Sequence, residues 1–437
     1  MIRATAGALA HGGGAAVGLD DGRVAFVRDA CPGDEAEIEI VADHGRWVDA
    51  RLVRVLTPSP DRVAPPCPYA GECGGCQWQH VSATAQLDAK RSIVKDAFER
   101  IGRLEGVAVR PCVPSPHPLG YRNKIELVAE DAGRDIVLGY HRYGSDSLVA
   151  VDRCLLLASR HVGVPKALRG ALRYLGGRHG DLGIRRVGIR VASHTRDVEV
   201  ALWTTPGPFP RALAAKTLTD AVGATGVMRV MTKGPDKERR IAGVEVLSGR
   251  GAWRERLGGT PFLISAPSFF QVNTGAAELL VRLVIDALEP VETDRVLDLF
   301  AGAGTFTLPL AGVAGEVVAV ESSRHALADL RRNLEIEDLF ADVVGGDAAR
   351  ELPALDEFDL AIVDPPRSGL DGQLIPALAQ AGPRRIAYVS CEPATLARDA
   401  ARLVAEGYTP VLVQPVDLFP QTYHVETVAV FERRPTG

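Results

Sequence analysis

The strongest constraint on this chain is the alternation of apolar strands with helical stretches from about Pro267 to the C-terminus. The strand-length runs RVLDLF, EVVAVE, DVVGGD, FDLAIVD, RIAYVSC, TPVLVQPV and VETVAVFE are separated by segments of helical texture. A helix over about Thr274–Leu288 precedes the first run. Apolar strands separated by helices indicate a parallel doubly wound sheet with both faces covered. Residues 266–437 are therefore expected to form a Rossmann-like α/β domain.

The first strand of that domain runs into a glycine turn, Val296-Leu-Asp-Leu-Phe-Ala-Gly-Ala-Gly-Thr-Phe-Thr307. Gly302 and Gly304 fit the Gly-x-Gly of a nucleotide-binding turn. Thr307 stands where a dinucleotide fingerprint needs its third glycine, and there is no Walker lysine. Glu321 ends the next strand, where a carboxylate accepts hydrogen bonds from both ribose hydroxyls of a nucleoside. Asp347 ends a third strand, placed to reach an adenine amine, and Asp298 sits just before the turn. A ligand with an adenosine and a cationic sulfonium but no phosphate needs this acidic set. S-adenosylmethionine is favoured over NAD.

Two further strand ends carry reactive side chains. Asp364-Pro-Pro-Arg-Ser-Gly369 follows FDLAIV, and Ser390-Cys391-Glu-Pro-Ala-Thr395 follows RIAYV. In an open sheet the active crevice lies outside the carboxyl ends of the strands. An Asp-Pro-Pro loop there could grip an exocyclic amine for amino-group methylation, but Arg367 replaces the aromatic residue such loops carry. Cys391 could be a buried structural thiol; its position favours a nucleophile. Glu426, at the start of the last strand, is a candidate general base. A thiol, a carboxylate and a methyl sulfonium together suggest one reaction. A thiolate adds to carbon 6 of uracil, carbon 5 becomes nucleophilic and takes the methyl group, and a base removes the carbon 5 proton.

Charge divides the chain in the same sense. The 437 residues sum to −5, but residues 1–50 carry −5, residues 51–250 carry +12 and residues 251–437 carry −12. The acidic end agrees with a cationic cofactor, and the basic middle hints at a polyanion partner. Only the −5 of the N-terminal segment fits an RNA-binding module poorly. The β-rich runs RVAFVRD, EAEIEIV and RWVDARLVRVL predict a small five-stranded barrel within residues 2–56. TPSPDRVAPP reads as a stiff linker, and a helical stretch follows over about Ala83–Arg103. Residues 105–265 read as an α+β platform dense in arginine, including Arg185, Arg186, Arg190 and Arg196. No run approaches the ~20 apolar residues of a membrane span, and no signal peptide is evident. A cytoplasmic protein with no membrane partner is expected.

Seven cysteines are present. Cys67, Cys73 and Cys76 have C-x5-C-x2-C spacing, and Cys154 lies far downstream. Four thiolates suit a zinc ion or an iron–sulfur cluster. With a single C-x2-C knuckle and two glycines that let the backbone wrap a bulky centre, a [4Fe–4S] cluster is favoured over zinc, and both over four independent buried thiols. Its expected role is structural, with Cys154 as a long-range staple.

Together, CPYAGECGGCQWQH, SFFQVN, DLFAGAGTFTLPLA, VDPPRSG, VSCEPATLARD and HVETVAVF resemble the RNA uracil-5 methyltransferase family, over nearly the whole chain. The resemblance implies a TRAM-type barrel at 1–57, a central RNA-binding domain with the cluster at 58–265 and a Rossmann-like methyltransferase domain at 266–437. It implies Cys391 as nucleophile and Glu426 as the proton-abstracting base. Gln271 would contact both the cofactor and the substrate region. Phe300, Thr305, Glu321, Asp347 and Asp364 would occupy cofactor-site positions, with Asp364 also near the uracil. Many relatives carry Asn at the position of Thr305. The helix at about 84–103 is expected to pack on the catalytic domain. The implied substrate is RNA: 23S ribosomal RNA, because barrel and cluster occur together in that branch, with tRNA as the alternative. The chain is expected to act as a monomer. Amino-group methylation and RNA binding by a degenerate site are the readings from other classes.

Overall fold

The computed structural model describes residues 1–131, 136–235 and 240–435. Their contacts divide the chain into two units. The first comprises residues 1–118, 365–371 and 387–437, and the second comprises residues 119–364 and 372–386.

The first unit opens with five strands, β1 (Ile2–Thr5), β2 (Ala15–Gly18), β3 (Val24–Arg28), β4 (Glu35–Asp43) and β5 (Trp47–Thr57), in the order β1-β4-β5-β3-β2. β3 and β5 are parallel and the other pairs antiparallel. Register shifts at three points along β4–β5 bend the longest pair, as bulges do. Beyond β1, the Gly7 N–H donates to Ala16 O and the Ala16 N–H to Ala8 O, both at 2.8 Å. The sheet is strongly curled, as a small barrel requires.

The charge of this module is less acidic than residues 1–50 suggest, because a cut at 50 runs through β5. Arg51 and Arg54 of that strand pair with Glu39 and Glu37 across the sheet, and Arg62 pairs with the fully buried Asp34. Residues 1–57 carry six positive and nine negative side chains, a sum of −3, so the module stays acidic.

After the linker come α1 (Ala83–Asp96), capped by Ser82 whose hydroxyl accepts from the Ala85 N–H, and a π-helical turn, Ala97–Ile101. The expected helix is therefore present but ends in a widened turn. The C-terminal part of this unit holds α9 (Pro393–Ala405), β20 (Tyr408–Val416) and β21 (Glu426–Arg433). A Cβ at Gly102 would lie 2.9 Å from Ala397 O of α9, so the turn after α1 packs closely on that helix, as expected. Lys90 of α1 is fully buried and pairs with Asp417 just after β20, also donating to Phe419 O at 3.0 Å. Trp78, fully buried, donates its indole N–H to Gly13 O and its backbone N–H to Gln421 O, each at 3.0 Å. The N-terminal module, the cysteine-rich segment and the loop before β21 thus form one packed body.

The second unit contains a seven-stranded sheet, β12-β11-β10-β9-β6-β7-β8. Its strands are β6 (Lys124–Asp131), β7 (Ile136–His141), β8 (Leu148–Ala150), β9 (Ile184–Val191), β10 (Val198–Thr204), β11 (Gly226–Lys233) and β12 (Arg240–Ser248), with helices α2 (Val164–His179) and α3 (Arg211–Val222). A hairpin of β13 (Trp253–Leu257) and β14 (Thr260–Ile264) follows, turned by Gly258 and Gly259, both at positive φ, as a two-residue loop of this kind requires.

Helix α4 (Thr274–Leu288) then leads into the alternating region: β15 (Arg295–Leu299), α5 (Thr307–Ala311), β16 (Glu316–Glu321), α6 (Arg324–Ile336), β17 (Asp342–Gly345), α7 (Ala348–Glu351), β18 (Leu360–Val363), α8 (Leu374–Gln380) and β19 (Arg385–Ser390). Within this unit β17, β16, β15 and β18 are neighbours in that order, and all three pairings are parallel. The chain order reverses between β15 and β18, the switch point at which open α/β sheets bind ligands. In the first unit β20 and β21 are antiparallel, a departure from the expected all-parallel arrangement. The connection from Val416 to Glu426 is shorter than the dozen or more residues that a parallel crossover needs.

Candidate active site

In the second unit the glycine turn follows β15. Phe300 has φ 64°, Gly302 59° and Gly304 99°. The left-handed backbone that the spacing assigns to glycines is thus shared by Phe300, a strained position for a side chain. A Cβ on Gly304 would lie 2.3 Å from Leu308 Cδ1 and 2.7 Å from Leu330 Cδ1, whereas one on Gly302 would meet nothing within 4 Å. Gly304 is a packing glycine; Gly302 leaves open space over the turn. Thr305 is partly exposed in the same turn.

Glu321 reaches this turn from the end of β16. Its Oε2 accepts the Gly302 N–H at 2.9 Å and its Oε1 the Ser323 N–H at 2.6 Å. Asp347 is exposed just beyond β17, and its Oδ1 accepts the Ala349 N–H at 3.1 Å, which caps α7. Gln271 is buried. Its backbone carbonyl accepts from Asn123 Nδ2 at 2.8 Å, and the same amide donates to Thr274 Oγ1 at 2.9 Å. Asn123 is a supporting residue that no motif flagged.

Beneath this segment, the buried Arg190 donates to Ile264 O, Ser265 O and Ser268 O at 2.5–3.4 Å. Burial pushes its partner Glu199 up to about 7, against the opposing pull of Arg190. Arg190, one of the arginines expected on the basic platform, is instead buried against this segment.

Asp298 is fully buried. Its Oδ2 accepts the Thr307 hydroxyl at 2.6 Å, while Oδ1 has no hydrogen-bond partner. The residue that breaks the dinucleotide fingerprint therefore holds an acid that a glycine could not hold. Burial pushes the Asp298 carboxyl up to about 7, and the charge of Glu321 adds to this. Asp364, half-buried after β18, is also pushed up, by burial first and by Asp298 second. Two neighbouring carboxyls, Asp298 and Asp364, disfavoured in their ionised form fit a cationic ligand, whose charge would relieve the cost.

A raised carboxyl binds protons more tightly in the folded state, so stability is full below the unfolded value of about 4 and is lost as pH rises toward 7. Asp298→Asn should flatten that decline. Urea midpoints of the two proteins across this range check it; parallel curves would contradict the assignment.

In the first unit the Pro365–Asp371 loop is clamped on α9. The Thr395 hydroxyl donates to Arg367 O at 3.1 Å, and Arg398 Nη2 to Ser368 O at 2.9 Å. The buried Asp399 accepts the Leu370 N–H at 2.8 Å and the Tyr388 hydroxyl at 2.9 Å. A Cβ on Gly369 (φ 76°) would lie 2.4 Å from Asp399 Oδ2. The motif EPATLARD is thus explained: Thr395, Arg398 and Asp399 hold the loop that follows Asp364.

Cys391 is half-buried, at the carboxyl end of β19 and immediately before the N-cap position of α9. The Ser390 hydroxyl fixes this corner, accepting the Glu392 N–H at 3.1 Å. Glu426 is buried as the first residue of β21, opposite Val416 of β20.

Cys67, Cys73 and Cys76 lie in a turn-rich segment of the first unit, each half-buried, with the Cys73 N–H donating to Tyr69 O at 2.9 Å and the Cys67 N–H to Gln79 Oε1 at 3.2 Å. Cys154 is half-buried in the second unit. None of the seven cysteines is in a disulfide. Among the described residues no three His, Cys, Asp or Glu side chains form a group able to hold a metal ion. Cys31 and Cys112 are buried thiols pushed up by burial, Cys112 to about 12. No helix of the described residues is long and apolar enough to cross a membrane.

The strand order and the glycine turn at the β15/β18 switch point define the class: an α/β methyltransferase fold. Comparisons sharpen this. Residues 352–434 match the tRNA (uracil-5-)-methyltransferase family, and residues 271–380 the methyltransferase small domain. An uncharacterized RNA methyltransferase of Thermosynechococcus vestitus is 39% identical over 430 residues, covering 95% of this chain and 95% of its own. Another from Gloeobacter violaceus is 38% identical, covering 98% and 95%. The crystal structure of Pyrococcus abyssi tRNA (uracil-54, C5)-methyltransferase in complex with S-adenosyl-L-homocysteine has a TM-score of 0.77 at 28% identity, over 98% of this chain and 99% of that one. The chain belongs to the uracil-5 RNA methyltransferase family, enzymes that methylate RNA with S-adenosylmethionine.

Proposed function

We propose that this enzyme methylates carbon 5 of one uridine in 23S ribosomal RNA, through a covalent adduct on Cys391. The observation that carries this reading is the thiol at the strand end before α9, in the same unit as the buried carboxylate Glu426. The Cys391 thiolate adds to carbon 6, and the electron pair of the 5,6 double bond moves toward the carbon 4 carbonyl. Carbon 5 then attacks the methyl of the sulfonium; that sulfur–carbon bond breaks and S-adenosylhomocysteine leaves. Glu426 takes the carbon 5 proton, the double bond re-forms and the bond to Cys391 breaks. The target base leaves its stack to reach the thiol.

Gln271, Phe300, Gly302, Gly304, Thr305, Glu321, Asp347 and Asp364 are assigned to the cofactor. Glu321 and Asp347 take its ribose and adenine, and Asp364 also faces the uracil. The domain roles follow: a TRAM-type module at 1–57, a central RNA-binding domain at 58–265 and the methyltransferase domain at 266–437, acting as a cytoplasmic monomer.

A [4Fe–4S] cluster on Cys67, Cys73, Cys76 and Cys154 belongs to the same proposal. The support is the spacing and the donor set, four thiols without a disulfide among them; the side chains as they stand are not gathered as a metal-holding group. A bound cluster would supply a structural tie and no step of the reaction. Anaerobically purified protein is expected to be brown with about four irons per chain. Colourless protein with one zinc would overturn the assignment.

The target reading rests on module and cluster occurring together in the 23S branch. The full-length likeness to a tRNA enzyme favours tRNA as the second reading. Mapping 5-methyluridine in RNA from a strain lacking the gene separates them: loss of one 23S site supports the proposal, and loss from tRNA alone replaces it with the second reading.

A further inference from the structure

The turn between β1 and β2 carries His11 at its tip. Two backbone hydrogen bonds, Ala10 N–H to Gly14 O at 2.8 Å and Gly13 N–H to Ala10 O at 3.0 Å, fix the turn, and the Trp78 indole holds it from below through Gly13 O. Gly12 and Gly13 have φ of 103° and 95°, so the bend needs glycine at both positions. The imidazole at this tip meets the segment that bears the thiol. Its Nε2 lies 3.7 Å from Oε1 of Glu392, the residue after Cys391.

The ring stands edge-on to Tyr423, with centroids 5.1 Å apart at 81°. Tyr423 in turn tilts against His424 at 4.2 Å, and His424 meets Phe419 at 5.9 Å. Tyr423 and His424 lead directly into Glu426. The inner member, Tyr423, is half-buried against the core of the N-terminal module, while the His11 side chain is 37% exposed.

A row of rings therefore runs from Glu392, the residue after the nucleophile, to the segment that leads into the base, and its outer member is partly exposed on a glycine turn. The His11–Glu392 pair, at 3.7 Å with side chains 37% and 23% exposed, adds little stability. Proteins that handle single-stranded RNA seat unpaired bases on such rings. Withdrawing the target uridine from its stack bares the faces of its neighbours, which then need a partner.

We propose that His11, backed by Tyr423 and His424, is a stacking platform for a nucleotide flanking the target uridine. By this contact the N-terminal module seats RNA at the thiol. His11 is a positioning residue in this scheme, and the proposal rests on Cys391 being the nucleophile.

The test uses the full-length enzyme and methyl transfer into RNA transcribed in vitro from the mapped target. His11→Ala should raise the KM for RNA roughly ten-fold, the loss of one stacked base, with kcat and the KM for S-adenosylmethionine at wild-type values. His11→Phe keeps a ring but cannot pair with Glu392, and should restore the KM. An unchanged KM in His11→Ala overturns the platform. So does a raised KM that His11→Phe fails to restore, which would assign the effect to the Glu392 pair, and so does a fall in kcat alone. Equilibrium binding of a fluorescein-labelled single-stranded oligoribonucleotide, measured with the same variants on a Cys391→Ala background, is independent of turnover. Weaker binding of His11→Ala there supports the platform even if the covalent mechanism fails, and equal binding overturns it even if the mechanism holds.

Discussion

Cys391→Ala should lower methyl transfer to uridine by roughly 10⁴-fold or more, the scale on which enzymes lose activity with their nucleophile. S-adenosylmethionine binding should survive. The physical basis is local. Cys391 is half-buried at a strand end, and the Ser390 hydroxyl that fixes the corner before α9 accepts from the Glu392 backbone N–H. Removing the sulfur leaves that corner, the Thr395 and Arg398 clamps on the Pro365–Asp371 loop and the buried Asp399 in place. Stability should therefore change by less than about 1 kcal/mol. The acids assigned to the cofactor lie in the other unit, so isothermal titration with S-adenosylhomocysteine should give the wild-type affinity. A variant that still methylates would sink the covalent mechanism and favour attack by an exocyclic amine at the Asp364-Pro-Pro loop.

Glu426→Ala should stall the reaction one step later. With the thiol intact, addition and methyl transfer proceed, but the carbon 5 proton has no acceptor and elimination stops. Turnover should fall roughly 10²–10⁴-fold, the usual worth of a positioned base. A protein–RNA adduct should accumulate that survives a denaturing gel and requires both S-adenosylmethionine and Cys391. Because Glu426 is buried at the start of β21, its removal also changes packing. Glu426→Gln keeps the shape and should give the same adduct. If neither variant traps RNA with a substrate that the wild type methylates, another group is the base. The two experiments divide the cycle: the first asks whether the bond forms, the second what breaks it.

Much of the candidate site was legible because its residues sit at strand ends, where apolar runs give way to turns. Gly302, Gly304, Glu321, Asp347, Asp364 and Cys391 were each placed by that rule. What escaped were residues that act on the backbone of a distant segment. Asn123 and Arg190 hold the segment around Gln271 from the other sheet of their unit, and nothing in their neighbouring residues announces it. Thr307 was read as a fault in a glycine pattern, when its hydroxyl is the partner of a buried acid. The antiparallel pairing of β20 with β21 is not legible in strand periodicity, which carries no direction; the short link between the two strands is the available signal.

The sequence by itself determined the order of elements, the turn chemistry and the reactive side chains, because these depend on periodicities of two and 3.6 and on glycine placement, all local quantities. Only the tertiary structure decided which distant segments share a body. Trp78 joins Gly13 to Gln421, Lys90 joins α1 to Asp417, and His11 comes to stand against Glu392 and Tyr423. Contacts across more than three hundred residues are fixed by burial of a tryptophan and a paired lysine, and burial depends on the whole packed chain.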